Sequence, residues 1–333
     1  MNHRLAAPVG ITATGQCFPP KVVTNDDLAQ ILDTNDEWIR SRTGIRERRW
    51  VEPGTGASQL GAPALQQALE ARGLKASELD LLVVTTVTPD TLFPATACRI
   101  QKMVGASNAF GFDLNAACSG FLFALTTAAS MVAAGAARKA AVVGVDIMST
   151  IINKEDRATA VLFGDGAGAV IVEQVDPGYG ILDFEHRIDG SGGEFLFMPA
   201  GGSLKPATAE TVANKEHTIH QAGSEVFKNA VREMADNSRL LLDRNGLKGE
   251  DLALFVPHQA NIRIMDAAAK RLELDPARMM VNIDRYANTT TATIPTALHQ
   301  AREQGRLAKG DLVILSAFGA GFTWGSTLLR WAC

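Results

Sequence analysis

What the chain lacks narrows it first. Its 333 residues hold four cysteines, Cys17, Cys98, Cys118 and Cys333, with no framework spacing, which argues against a disulfide-stapled scaffold and fits a reducing compartment. It lacks a basic excess: with 20% charged residues and a net charge of −4, it has no global field to recruit nucleic acid, and an anionic partner must be met by a local patch. It lacks a long apolar run. Met1 to Pro8 carries no leader-like segment, and the mostly apolar stretch from Cys118 to Ala137 is broken by Ser119, Thr126, Thr127 and Ser130, so it reads as a core helix and not a span. Cys333 is the last residue, which gives no prenylation box. His217 and His220 stand at a ligand-like spacing without a third ligand, so no metal is expected. Gly164-Asp-Gly-Ala-Gly-Ala169 lacks the Lys-Ser/Thr of a phosphate loop and reads as a structural turn. A soluble, cytoplasmic protein is expected.

What is present is a large hydrophobic fraction, 46%, arranged as alternating strands and helices. Strands are expected at 81–87, 110–114, 140–146, 169–173, 252–256, 279–283, 312–317 and 327–331. Helices are expected at 25–32, 59–72, 118–134, 224–244, 262–272 and 291–304. Continuous apolar strands between helices imply α/β architecture, with sheets covered on both faces. A faint repeat runs through the chain. Cys118 precedes Gly135 by 17 residues, Asn288 precedes Gly305 by 17, and 288 − 118 = 170 is about half the length. Two halves follow, 1–176 and 177–333, the first carrying Cys118 and the second His258 and Asn288.

Those three residues each follow an apolar strand, the end at which α/β sheets bind ligands. Cys118 opens a small-residue helix, whose N-terminal N–H groups favour a thiolate, the nucleophilic form. Cysteine with histidine suggests a nucleophile and its base. Asparagine cannot take a charge, but it and a neutral histidine can both donate hydrogen bonds to a developing enolate oxygen. Ala317-Phe-Gly-Ala-Gly-Phe-Thr323 offers backbone N–H groups at close approach for a second oxyanion site.

The ordered motifs Asp36–Arg48, Asn115-Ala-Ala-Cys-Ser-Gly-Phe121, Phe163–Gly168, Val256-Pro-His-Gln-Ala-Asn-Ile-Arg263, Tyr286-Ala-Asn-Thr-Thr290 and Phe318–Gly325 resemble the β-ketoacyl-acyl carrier protein synthase III family nearly end to end. The resemblance implies the thiolase fold, duplicated βαβαβαββ halves in five layers (α-β-α-β-α). It implies an acyltransferase that starts type II fatty-acid synthesis. A short acyl-CoA primer would acylate Cys118, and malonyl-acyl carrier protein would then condense with it decarboxylatively, giving 3-oxoacyl-acyl carrier protein, CoA and CO2. His258 and Asn288 would stabilise the enolate, and the N–H groups of Cys118 and Ala320 would form the oxyanion hole. Ala320 replaces the family's more usual glycine, and a positive φ there would be strained. Trp38, Arg42, Arg157 and Asn261 match coenzyme A positions, where an aromatic face with guanidiniums suits adenine and phosphates. Lys228, Arg263, Lys270 and Arg271 match a basic face for the acidic carrier protein. Phe93 matches a loop that closes the acyl pocket of the partner in a homodimer, and Met148 and Leu196 are further candidate pocket walls. No cofactor is implied, acyl-CoA being a substrate, and neither nucleic acid nor membrane is a partner.

The nearest alternative is a paralogue on the same fold with another acceptor or primer, a secondary-metabolite starter enzyme or a long-chain condensing enzyme. Three other readings are weaker on the residues. A 3-hydroxy-3-methylglutaryl-CoA synthase would want a catalytic Glu, and none stands beside the Cys118 turn. A Cys–His–Asn thiol hydrolase gives Trp38 and its arginines no role. A non-catalytic scaffold does not explain why all three chemical positions are intact. Primer length and branching, and whether the acceptor belongs to housekeeping or secondary metabolism, are not encoded in any motif.

Overall fold

The computed structural model describes residues 5–333; residues 1–4, part of the stretch read above for a leader, lie outside them. The first sheet holds β1 (Val9–Cys17), β2 (Leu81–Thr85), β3 (Phe110–Leu114), β4 (Lys139–Ile147) and β5 (Asp165–Gln174) in the order β1-β5-β4-β2-β3. β2 pairs in parallel with β3 and β4, while β5 runs antiparallel to β4 and β1. The second sheet holds β6 (Gly180–Ile188), β7 (Leu254–Pro257), β8 (Leu312–Gly319) and β9 (Thr323–Arg330) in the order β7-β8-β9-β6. Its β7 and β8 are parallel and the other pairings antiparallel. A parallel bridge from Phe255 to Met279 stands where the first sheet has β3, so the two sheets repeat one topology. The strand expected at 279–283 is thus reduced to a bridge. Its chain turns into a short helix, Ile283–Tyr286, after Met280 N–H bonds the Phe255 carbonyl at 2.9 Å.

Two helices face the first sheet's outside, α1 (Ala57–Arg72) and α2 (Thr96–Val104), and two cover the second, α4 (Gly223–Arg244) and α5 (Ile262–Arg271). Between the sheets lie α3 (Gly120–Ala133) and α6 (Thr293–Glu303), each touching both. The result is the five-layer thiolase fold. α3 is buried over most of its surface by small and apolar residues. Phe123, Thr127 and Ser130, four and three residues apart, share a face that is only partly covered, so the helix is not enclosed on every side as its pattern suggests. Glycines in and just before β5 bring the layers together: a Cβ at Gly168 would meet Pro295 of α6 at 2.8 Å, and one at Gly164, the residue before β5, the Tyr286 carbonyl at 2.4 Å. The Gly164–Ala169 run is therefore mostly strand, with glycines for close approach, and not the turn expected. No helix among the described residues is long and apolar enough to cross a membrane.

Candidate active site

Cys118 lies in the 3-10 turn Ala117–Ser119 between β3 and α3. The second half braces this turn: Ser119 Oγ donates to the Thr323 carbonyl at 3.0 Å, and Thr323 Oγ1 to the Ala116 carbonyl at 2.8 Å. Ala117 is held at φ 47°, a conformation that costs a non-glycine residue about 1–3 kcal/mol and survives only where its surroundings over-determine it. Gly319, ending β8, abuts the turn so closely that a Cβ would lie 2.6 Å from the Cys118 nitrogen.

His258 directly follows β7, its N–H bonded to the Ser316 carbonyl at 2.8 Å. Ring Nδ1 lies 2.7 Å from Thr293 Oγ1, which leaves Nε2 as the nitrogen available to the cavity. Burial pushes this imidazole down to about 3, so it is neutral at physiological pH. Asn288 is clamped by β5's approach: its N–H bonds the Leu162 carbonyl and its carbonyl accepts from Gly164 N–H, both at 3.0 Å. Its side-chain Oδ1 accepts from Thr290 N–H at 2.8 Å, so the amide presents its NH2 end to the cavity. Ala287 and Thr290, flanking Asn288, sit at φ 56° and 53°.

The three side chains line one cavity of about 230 Å³, together with Asn261, Gly319, Leu196 and Phe318. A second cavity, of about 480 Å³, meets the first at Cys118; its walls include Val87, Met148, Ile151, Leu196, Met198 and Ala320. Sequence position at a helix N-terminus predicts a favoured thiolate at Cys118. The structure keeps the helix end, but burial, aided by the charge of Asp146, pushes the thiol up to about 12. The resting sulfur is therefore a thiol, and the helix end acts on charge only as it develops.

The remaining candidates are dispersed around this centre. The strain expected at Ala320 does not arise, since the positive φ, 134°, falls on Gly321. Arg42 and Arg157 place their guanidinium carbons 4.7 and 4.8 Å from the Trp38 ring centre. Arg157 Nη1 also donates to the Asp33 carbonyl at 2.7 Å. Asn261 caps α5, accepting from Arg263 N–H at 2.9 Å. Lys228, Arg263, Lys270 and Arg271 are all exposed. Arg263 lies over the Phe227 ring at 5.7 Å, whereas Lys228 and Arg271 pair with Glu225 and Asp236 at 3.0 and 2.9 Å. Phe93 is 85% exposed and lines neither of the two cavities at Cys118. Among the described residues no group of three or more His, Cys, Asp or Glu is placed to hold a metal.

Sequence reasoning missed the supports: Asp146, Thr291 and Thr293. It also missed most of the cavity walls contributed by residues 189–222, which carry only short pieces of regular structure. The length of that connection was the available signal, because loops beyond about 12–15 residues are usually functional.

Comparison with known proteins identifies the family. Residues 112–190 match the 3-oxoacyl-[acyl-carrier-protein] synthase III family, and residues 242–331 match its C-terminal part. A β-ketoacyl-[acyl-carrier-protein] synthase III of Solibacter usitatus is 54% identical over 325 residues, covering 97% of this chain and 98% of its own. The crystal structure of the Aquifex aeolicus 3-oxoacyl-[acyl-carrier-protein] synthase III superposes with a TM-score of 0.89 at 41% identity, covering 97% of this chain and 100% of that one. A priming β-ketosynthase from a polyketide pathway superposes with a TM-score of 0.90 at 34% identity, covering 99% and 98% of the two chains. The chain belongs to the β-ketoacyl-[acyl-carrier-protein] synthase III family of condensing enzymes of fatty-acid synthesis.

Proposed function

We propose that this enzyme condenses a short acyl-CoA primer with malonyl-acyl carrier protein through an acyl-Cys118 intermediate. The observation that carries the proposal is the meeting at Cys118 of two cavities, both walled chiefly by apolar side chains. Only the first also presents His258, Asn288 and Asn261. Sγ attacks the primer's thioester carbonyl, whose oxygen accepts from the N–H groups of Cys118 and Ala320, and CoA leaves. His258 is the one base lining the first cavity; it takes the thiol proton and returns it to the departing CoA sulfur. The acyl chain then occupies the second cavity, with Met148 and Leu196 as walls. In the second step malonyl thioester loses CO2, and the enolate oxygen accepts from His258 Nε2–H and Asn288 Nδ2–H. The carbanion attacks the acyl-Cys118 carbonyl and frees the sulfur.

Thr293 supports both uses of His258. Its hydroxyl lies 2.7 Å from Nδ1 and 3.0 Å from the Thr290 carbonyl. Turned to Nδ1 it leaves the ring proton on Nε2, the donor form; turned to Thr290 it accepts from Nδ1–H and bares Nε2, the basic form.

Trp38, Arg42 and Arg157 suit an adenine and phosphates at the cavity's approach, and Arg263 and Lys270, seven apart on α5, suit an acidic carrier protein. Leu92 and Phe93, 86% and 85% exposed, fit a loop that closes a partner's pocket in a homodimer. The reading needs no cofactor, divides the chain at about residue 176, and places the enzyme in the cytoplasm. Radiolabelled acyl-CoA should mark the wild type on Cys118 and leave Cys118→Ala unmarked; label persisting in that variant contradicts the proposal. Turnover with malonyl-acyl carrier protein that is lost when malonyl-CoA replaces it supports the carrier-bound acceptor.

A further inference from the structure

Asp146, one residue from the end of β4, is fully buried and has no part in the chemistry above. Its Oδ1 accepts from Thr86 Oγ1 at 3.0 Å, Val87 N–H at 2.7 Å, Thr88 N–H at 3.2 Å and Thr88 Oγ1 at 2.9 Å. Its Oδ2 accepts from Thr291 N–H at 3.0 Å and Thr291 Oγ1 at 2.7 Å. Backbone N–H and threonine donors on both oxygens favour the charged carboxylate. Burial pushes the carboxyl up, and these hydrogen bonds oppose that.

The two sets of partners belong to different halves of the molecule. Residues 86–88 follow β2, and Val87 walls the acyl cavity. Thr291 belongs to the turn after Asn288, and the neighbouring Thr290 N–H holds Asn288 Oδ1 at 2.8 Å. The approach is tight: a Cβ at Gly144 of β4 would lie 2.4 Å from the Thr291 carbonyl oxygen. α3's first residue, Gly120, comes just as close, its Cβ position 2.1 Å from Thr85 Oγ1.

We propose that Asp146 is a positioning residue that fixes the Asn288 carboxamide against the Cys118 turn by tying Thr291 of the second half to residues 86–88 of the first. The proposal rests on the functional reading above, with Cys118 as the nucleophile and Asn288 as a donor to the enolate. The charge of Asp146 has a second consequence: after burial itself, it is what raises the Cys118 thiol. The other ionisable groups on this side are His258, neutral in the same cavity, and Asp165, itself buried and affected by Asp146.

Asp146→Asn and Thr291→Val test it in the full-length enzyme, with melting by circular dichroism to establish folding. Asp146→Asn removes the charge and turns an NH2 group toward the donors. Condensation should fall about 100-fold, more than acylation by acyl-CoA falls. Alkylation of Cys118 by iodoacetamide near pH 8 should rise about 10-fold, the scale of a one-unit drop in thiol pKa when a like charge is removed. Thr291→Val should lower condensation without moving the alkylation profile, and Thr291→Ser should restore it. A folded Asp146→Asn whose alkylation profile overlays the wild type, or whose two half-reactions fall equally, overturns the proposal. If Asp146→Asn does not fold, wild-type condensation in Thr291→Val does so instead. A wild type that is never acylated on Cys118 fails the functional reading, whereas the alkylation shift in Asp146→Asn reports on Asp146 regardless.

Discussion

The Cys118 turn and the Asn288 turn occupy the same place in a repeated topology, each leading from the strand edge of its sheet into one of the two central helices. Both hold non-glycine residues at positive φ, Ala117 on one side, Ala287 and Thr290 on the other. They differ in what the strain presents. The first turn offers a sulfur and its own N–H at a helix end; the second offers an amide whose oxygen is already engaged by Thr290. One scaffold position has thus been given a nucleophile in one copy and a fixed donor in the other. A two-step reaction needs that division: a group that forms a bond, and a group that stabilises charge without forming one.

The largest way to break the comparison is Cys118→Ala. Overall turnover should fall by roughly 10⁴-fold or more, the scale of losing a nucleophile from a catalytic unit, measured as product from acyl-CoA and malonyl-acyl carrier protein. Thr293→Val sharpens the second turn's side, since it removes the hydroxyl that pairs with either tautomer of His258. Condensation should drop about 100-fold and Thr293→Ser should recover most of it; ¹⁵N shifts of the His258 ring should show a changed tautomer ratio in the valine variant alone. A smaller effect separates the turns sterically. Gly319→Ala intrudes on the Cys118 nitrogen at 2.6 Å and Gly164→Ala on the Tyr286 carbonyl at 2.4 Å. Each should destabilise by about 1–3 kcal/mol in denaturant unfolding. The first should slow acylation more, the second condensation.

The smallest effect is on pH. The folded His258 titrates near 3, below the unfolded value of about 6.5. The native state therefore binds fewer protons, so its stability is full above pH 6.5 and drains as pH falls toward 3. Melting temperature should drop between pH 7 and pH 5, and the drop should shrink in His258→Gln.

Much of this was legible beforehand because it rests on period and spacing. The apolar strand 110–114 and the helices at 224–244 and 262–272 appear within a residue or two of their expected bounds. The antiparallel strands β1 and β6 were missed because they are not continuous apolar runs: β1 is interrupted by Thr12, Thr14 and Gly15, and β6 by Asp183, Glu185, His186 and Arg187. The expected strand at 279–283 fails because only Met279 reaches a partner. At the site, Cys118, His258 and Asn288 stand out as polar residues after apolar strands, whereas Asp146 and Thr293 do not. Asp146 ends a strand as an ordinary polar residue would, and Thr293 sits in a threonine-rich run that reads as a helix start. Their roles come from partners 145 and 35 residues away. The protonation of the Cys118 thiol was likewise out of reach, because burial and a neighbouring charge decide it, not the helix end.

The most direct test of the division between the turns is a single-turnover experiment on Asn288→Ala. The variant should take labelled acyl from acyl-CoA onto Cys118 at near the wild-type rate, recovered on the Cys118 peptide by mass spectrometry. It should then transfer that acyl to malonyl-acyl carrier protein roughly 100- to 1000-fold more slowly. Acylation and transfer slowed by the same factor, or label on a peptide without Cys118, would contradict the account.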